Sequence, residues 1–432
     1  MTLNNPQKVV VVGTGISGSG TAWLLAQAGH RVTLIEKDQR IGGHTCTQEV
    51  NMAGEVHAVD MGFIVFNRPN YPHLSGLFDH LSVATHNTEM SFAVSRDGGK
   101  HQYGGADFAT FMAHSPSRWR WSHWQLMFDI LRFNKAALAW LAQGNFDEQQ
   151  TLGEWLSQHR FHQRLADAYL LPMSAAIWSC PPAQMLQYPA HSLLSFFKNH
   201  GLLQLEDRPQ WETVTGGSRS YLQKLHRHPN INIVNATNIK QINRHADGVE
   251  LVFDNGKQLS ADQLVLATHA DQALALLGEG ASADEVELLN PFAYQANHAY
   301  LHSDLTYMPS ERKVWSAWNF IESDAQQPVQ VSYWMNCLQH IESAQPLIVT
   351  LNPNERPDPA LTWQYHVFDH PVFTPETRQA QLQLHRLQGV NRTWFAGSYF
   401  GHGFHEDGFA SAVAVAQAWG ITPPWLSSKD TH

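Results

Sequence analysis

The most constraining feature of this chain is a glycine-rich loop held between a run of β-branched residues and an Ala/Leu-rich segment. Lys8–Val12 (KVVVV) reads as a strand buried on both faces, Thr21–Ala28 as a helix closed by Gly29, and Arg31–Glu36 as a second strand. Parallel strands need a crossover of this kind, so the unit is βαβ and the fold is α/β. The connecting loop is Gly13-Thr14-Gly15-Ile16-Ser17-Gly18. Gly13 permits the tight turn, Gly15 lets backbone approach a pyrophosphate, and Gly18 allows the helix to pack closely. The helix N-terminus offers free N–H groups to phosphate oxygens beside Ile16 and Ser17. Glu36 follows Gly15 by 21 residues, the distance at which an acid accepts ribose hydroxyls, and Lys37 follows it. Together these features predict a dinucleotide site.

Composition narrows the class. The chain has 432 residues, long enough for about two domains at ~100–200 residues each. A net charge of −10 with no basic tract argues against nucleic acid as a partner. Three cysteines cannot build a disulfide framework, and no basic, apolar leader precedes the first strand, so the expected compartment is the cytoplasm. No zinc-type HExxH or CxxC spacing occurs, so no metal site is expected. Fifteen Trp and 26 His are unusual; the histidines read as scattered, whereas the tryptophans suggest an aromatic-lined cavity or an interfacial surface.

Beyond residue 100, after a hairpin turn at Gly98-Gly99, the chain turns helical to about residue 205. In Trp119–Leu141 the polar residues Ser122, Gln125, Asp129 and Arg132 share a narrow stripe, which predicts a helix wrapped by protein or resting partly on lipid. Strands return over residues 231–268, and the C-terminus reads as a strand (Thr393–Ala396), a glycine turn and a helix from near Gly408.

Arg40-Ile41-Gly42-Gly43-His44-Thr45 resembles the RxGGRxxT segment of flavin amine oxidases, protoporphyrinogen oxidases and carotene desaturases. The resemblance implies non-covalent FAD, with Gly42 and Gly43 presenting N–H groups to its pyrophosphate. His44 replaces the usual Arg, which implies a weaker or more pH-sensitive phosphate contact. Asp60-Met61-Gly62-Phe63 resembles the turn near the flavin ring, and Val214–Ser218 with Leu222 resembles a second FAD-domain segment. By the same resemblance Ile239 packs on adenine. Gly397-Ser398 and Gly408-Phe409-Ala410 form the strand–turn–helix at the flavin, with Ser398 where an acid commonly bonds the ribityl chain. Cys46 lies near this cofactor segment, while Cys180 reads as a packing residue. The implied architecture is a Rossmann-like FAD domain (residues 1–80, 205–275 and 385–432) interleaved with an α+β substrate domain (residues 81–204 and 276–384).

Longer stretches (residues 60–78, 169–184, 196–214 and 403–409) resemble the flavoproteins fused N-terminally to plant cyclopropane fatty acid synthases. This implies an acyl-chain context and a cyclopropane-synthase-like methyltransferase as a partner. Trp178 and Trp211, in loops bounded by proline, are candidate substrate contacts. His402, His405 and Glu406, before the last helix, are candidate acid–base groups. The strand Tyr294–Leu301, where amine oxidases hold a lysine near the flavin, contains none. The expected function is an FAD-dependent oxidoreductase acting on an apolar acyl substrate, with peripheral contact at the inner membrane face. The alternatives are a flavin amine oxidase acting on a soluble amine and a non-catalytic FAD-binding partner of a lipid methyltransferase.

Overall fold

The computed structural model describes residues 5–105, 107–144, 146–147, 149–178, 185–204, 209–322 and 330–427; the side chains of Ser115, Arg118, Ala175 and Ser427 fall outside this description. Cys180 and the Pro181-Pro182 pair also lie outside the described residues.

A five-stranded parallel sheet forms the nucleotide half, in the order Ile231–Val234, β2 (Arg31–Ile35), β1 (Lys8–Val12), Gln263–Leu266, Thr393–Phe395. The valines of β1 are buried on both faces, which is why they lack polar alternation. Helix α1 (Ile16–Gln27) begins five residues before the expected Thr21, and its residues Ile16 to Ala26 are all buried. Packing overrides the poor helix propensity of its Gly and Ser residues. It crosses the C-terminal helix closely: a Cβ on Gly20 would lie 2.6 Å from the Phe409 ring.

A seven-stranded mixed sheet forms the other half. Its edge is β4 (Thr362–Val372), paired antiparallel along most of its length with β3 (Ala293–His302). At the opposite edge Phe92–Arg96 and His101–Gly104 form a hairpin through Gly98 and Gly99, both at positive φ, as expected. A small antiparallel sheet of Val65–Asn67, Trp211–Val214 and Thr85–Thr88 bridges the two halves and places Trp211 at the start of its central strand.

Helix α3 (Trp121–Leu141; α2 is Pro72–His80) is wrapped by protein on one face, which buries Leu126, Phe133, Ala137 and Trp140. The polar stripe does not simply face solvent. Arg164 donates to Gln125 (2.8 Å) and to Asp129 (2.7 Å), drawing both against the protein, while Trp121, Phe128 and Leu131 are exposed.

Candidate active site

One cavity of about 720 Å³ runs from the glycine loop to the interior face of the mixed sheet. Gly13, Gly15, Ile16, Ser17, Glu36, Lys37, Gly43, His44, Gly62, Phe63, Ile239, Gly397 and Ser398 all line it, as do Trp178, Trp211, His402 and His405.

The three loop glycines serve different ends. Gly13 has φ +101°, and a Cβ there would meet the Ala267 carbonyl oxygen at 2.5 Å. A Cβ on Gly18 would fall 1.8 Å from the Gly13 carbonyl oxygen, so this glycine closes the loop on itself and does not line the cavity. Gly15 has ordinary backbone angles, and a Cβ there would meet nothing within 4 Å. The chain itself therefore requires Gly13 and Gly18, whereas at Gly15 the reserved space belongs to the cavity. Helix α1 has no side-chain cap and no acid in its first turn, so its N-terminal N–H groups and positive dipole end stay uncompensated. Glu36 accepts from the Thr14 hydroxyl (2.5 Å) and amide (3.2 Å), and Thr14 Oγ1 accepts from Gly42 N–H (2.9 Å). That network locks the acid at the loop.

The second glycine pair is braced against the first. Gly43 (φ +56°) has its Cβ position 3.1 Å from Gly15 Cα. Gly42 does not line the cavity; its Cβ position is closed by Leu222 and the Thr45 carbonyl at 2.7 Å. His44 is half-buried in the cavity wall, with its ring centroid 5.0 Å from Phe368 and 5.2 Å from His370. Burial first, and then the neighbouring His370, holds its pKa well below that of an ordinary imidazole. It replaces the family's Arg with a neutral group. Thr45 turns away from the cavity and bonds the Tyr221 hydroxyl at 2.5 Å. Cys46 is buried outside the lining, with its thiol pKa raised by burial. Asp60 ties the Asp60–Phe63 turn to distant segments. It accepts from Thr47 (2.5 Å), from Ser218 through amide and hydroxyl, and from Gln339 (3.0 Å), and burial raises its pKa to about 6.

The C-terminal segment requires two corrections. Helix α4 spans His405–Ala418, so its first turn starts three residues before the expected Gly408. Gly408, Phe409 and Ala410 do not line the cavity: Gly408 abuts Ser17 and Ile16 of α1, and Phe409 packs on Gly20. These residues seat the helix, and the residue it presents to the cavity is His405. Glu406 also points elsewhere. Its two oxygens each accept an amide N–H at 2.9 Å, from His73 and Leu74 at the start of α2, so it caps that helix instead of serving the chemistry. Burial raises its pKa to about 7.

The far end of the cavity is an aromatic wall. Trp178 lies 4.8 Å from Phe196 and 6.0 Å from Phe404, Phe196 and Phe404 stack at 4.8 Å, and Phe196 stacks on His200 at 3.7 Å. His200 in turn stacks on Trp211 at 5.9 Å, which joins the two sequence-predicted tryptophans through residues the sequence reading missed. Burial lowers the pKa of His200 to about 4. His405 is stacked on Phe63 at 4.0 Å, with its pKa lowered by burial to about 3. His402 is lowered by burial against the opposing pull of the Asp407 carboxylate, which itself accepts from Phe404 N–H (2.8 Å). Seven of the 26 histidines line this cavity, against three tryptophans, so the weight given to Trp over His is reversed. His402 and His405 were expected from the sequence; the HxFxxP spacing of His366, Phe368 and Pro371 in β4 was the missed signal. The lysines lining the cavity are Lys37 and Lys240; among the described residues β3 contributes Tyr294 and no lysine.

An open Gly15 face, an uncapped helix N-terminus and a positioned Glu36 fit the diphosphate and ribose of a dinucleotide, and the cavity beyond them has room for a ring system. The chain spans about a tenth of the length of the curated relatives it matches. It is 46% identical over 61 residues to an L-amino-acid oxidase of Mus musculus (13% of this chain, 10% of that protein). It is 50% identical over 46 residues to an L-amino-acid oxidase of Bothrops jararacussu (11% and 9%). Full-length similarity appears in solved structures at low identity, which shows the fold. Cyclohexylamine oxidase from Brevibacterium oxydans has TM-score 0.69 and 16% identity over 96% of this chain and all of that one. The CLA-producing fatty acid isomerase from P. acnes has TM-score 0.66 and 15% identity over 95% and 98%. The family described as flavin containing amine oxidoreductase matches residues 16–418. With the nucleotide cradle and almost the whole length matched, the chain belongs to the flavin-containing amine oxidoreductases, and its cofactor is FAD.

Proposed function

We propose that the protein is an FAD-dependent oxidase that takes a hydride from the carbon beside the nitrogen of a small amine. The observation that carries this reading is the aromatic wall of Trp178, Phe196 and Phe404 at the end of a cavity whose other end is the family's FAD cradle. FAD, when bound, supplies a two-electron acceptor. The chain's own part is to bind, orient and dehydrate. The stacked rings offer an amine their negative faces and exclude water. His200 and His405, held neutral by burial, add no positive charge that would oppose an amine's approach. The curated L-amino-acid oxidase relatives and the amine-oxidase structures favour this reading over the acyl-chain expectation. The framework we assign is the nucleotide half at residues 1–80, 205–275 and 385–432 and the substrate half between them.

A second reading keeps the acyl-chain substrate. Among the described residues the wall of Trp178, Phe196 and Phe404 contributes no carboxylate, those lining the cavity being Glu36, Asp38 and Asp369, and one full-length structural relative is a fatty acid isomerase. The resemblance to cyclopropane-synthase-fused flavoproteins, with a methyltransferase partner, belongs to this reading.

Anaerobic mixing decides between them. Loss of the flavin's visible absorbance with a panel of primary amines, and peroxide on readmitting air, supports the amine reading. Bleaching by acyl lipids alone replaces it with the second. A flavin stable to every donor leaves the accessory role.

A further inference from the structure

The strongest feature outside the cavity is one side of α3 and the turn before it. Trp119 (80%), Trp121 (71%), Phe108 (61%) and Phe128 (58%) are exposed, and Leu131 is exposed beside them. Trp121, Phe128, Arg132 and Lys135 recur at helical spacing along one face, over about 21 Å at ~1.5 Å per residue. The opposite face, with Leu126, Phe133, Ala137 and Trp140, is buried in the large core. Cations accompany the rings. Arg120, Arg132, Lys135 and Arg160 are exposed; Arg132 lies 4.3 Å over the Phe161 ring and donates to the Arg160 carbonyl. Asp129 is the single acidic residue from 108 to 144, and its charge is taken by Arg164 at 2.7 Å. A chain of net charge −10 therefore concentrates cations around its most exposed aromatic residues.

We propose that this face is a docking surface for an anionic lipid bilayer. The rings insert at headgroup depth while the arginine and lysine stems reach the phosphates, which is the pattern of a helix lying in the interface plane. Among the described residues no helix is long and apolar enough to cross a membrane, so the contact is peripheral. The proposal goes beyond the amine or acyl reading and does not depend on turnover.

The test is co-sedimentation of the FAD-loaded protein with phosphatidylglycerol-containing and pure phosphatidylcholine vesicles. The expected result is binding to the anionic vesicles only, released by raised salt as exposed charges are screened. Trp121→Ala with Phe128→Ser should lower the partition coefficient about tenfold, and Arg120→Glu with Lys135→Glu should abolish the anionic preference. FAD content and circular dichroism should be unchanged in both, since all four side chains are exposed. No wild-type binding at low salt, or equal binding by both variants, overturns the proposal. So does a concentration-dependent dimer that the Trp121/Phe128 variant disrupts, because the face would then be covered by a second copy.

Discussion

The Tyr221 hydroxyl stands 2.5 Å from His405 Nε2, inside a buried chain that continues to Thr45 Oγ1 at 2.5 Å. With one proton and two partners, the Tyr221 hydroxyl donates to one of Thr45 Oγ1 and His405 Nε2 and accepts from the other, so the neutral imidazole's tautomer and the direction of the Thr45 bond are tied together. Tyr221 thereby links Thr45 to the imidazole that α4 presents to the cavity. Replacing it with Phe leaves two buried polar atoms without a partner and should cost about 1–3 kcal/mol of stability. The same variant should retain FAD but shift the flavin's absorption maxima and the pH profile of kcat. Unchanged spectra and profile would show that Tyr221 only packs.

The loop glycines make opposite predictions. Gly15→Val should fold, because its backbone angles suit any residue and its Cβ meets nothing. It should purify without FAD, since the side chain occupies the diphosphate's space. Gly18→Ala should instead fail to fold stably, its methyl lying 1.8 Å from a backbone oxygen. FAD-to-protein ratios and circular dichroism distinguish the two.

Glu406→Gln should lower stability by about 1 kcal/mol through the weakened cap on α2, while FAD content and kcat stay at wild-type levels. A hundredfold loss of kcat in a folded, FAD-loaded variant would return Glu406 to the chemistry.

Acid should destabilise the fold steeply. His200, His226, His302 and His370 are lowered to about 4, and His405 to about 3, all chiefly by burial. A folded pKa below the unfolded value of about 6.5 means that the unfolded chain binds more protons between pH 6.5 and 4, so stability falls as pH drops through that window. Asp60 and Glu406, raised to about 6 and about 7, act in the opposite direction but are fewer. Urea midpoints at pH 7.5 and 5.5, in the presence of excess FAD, should show the loss. His302→Gln, which can keep the bond to Thr350 outside the cavity, should flatten the slope.

Much of the cradle was legible because its constraints are local. Gly13 is required by its own positive φ, Gly18 answers to the Gly13 carbonyl five residues back and Gly43 to Gly15 in the neighbouring loop, and Glu36 ends the strand next to the one that launches the loop. Steric exclusion over such short spans leaves its mark directly on residue type and spacing. The aromatic wall was only half legible: Trp178 and Trp211 stand out by size, but Phe196 and His200, which connect them, look like any amphipathic helix face.

By itself, the sequence determined the βαβ unit and the dinucleotide loop, which follow from backbone sterics and short-range spacing, and its resemblance to the flavin amine oxidases pointed to the family. Only the tertiary structure decided that Glu406 caps a helix formed some 330 residues earlier in the chain, that His405 rather than Gly408 faces the cavity, and that Trp121, Phe128 and Leu131 of α3 point outward while Leu126, Phe133 and Trp140 point in. Those outcomes depend on sheet order and on which helix crosses which. Burial and charge partners are set by segments remote in sequence, and no local pattern encodes the distance between them.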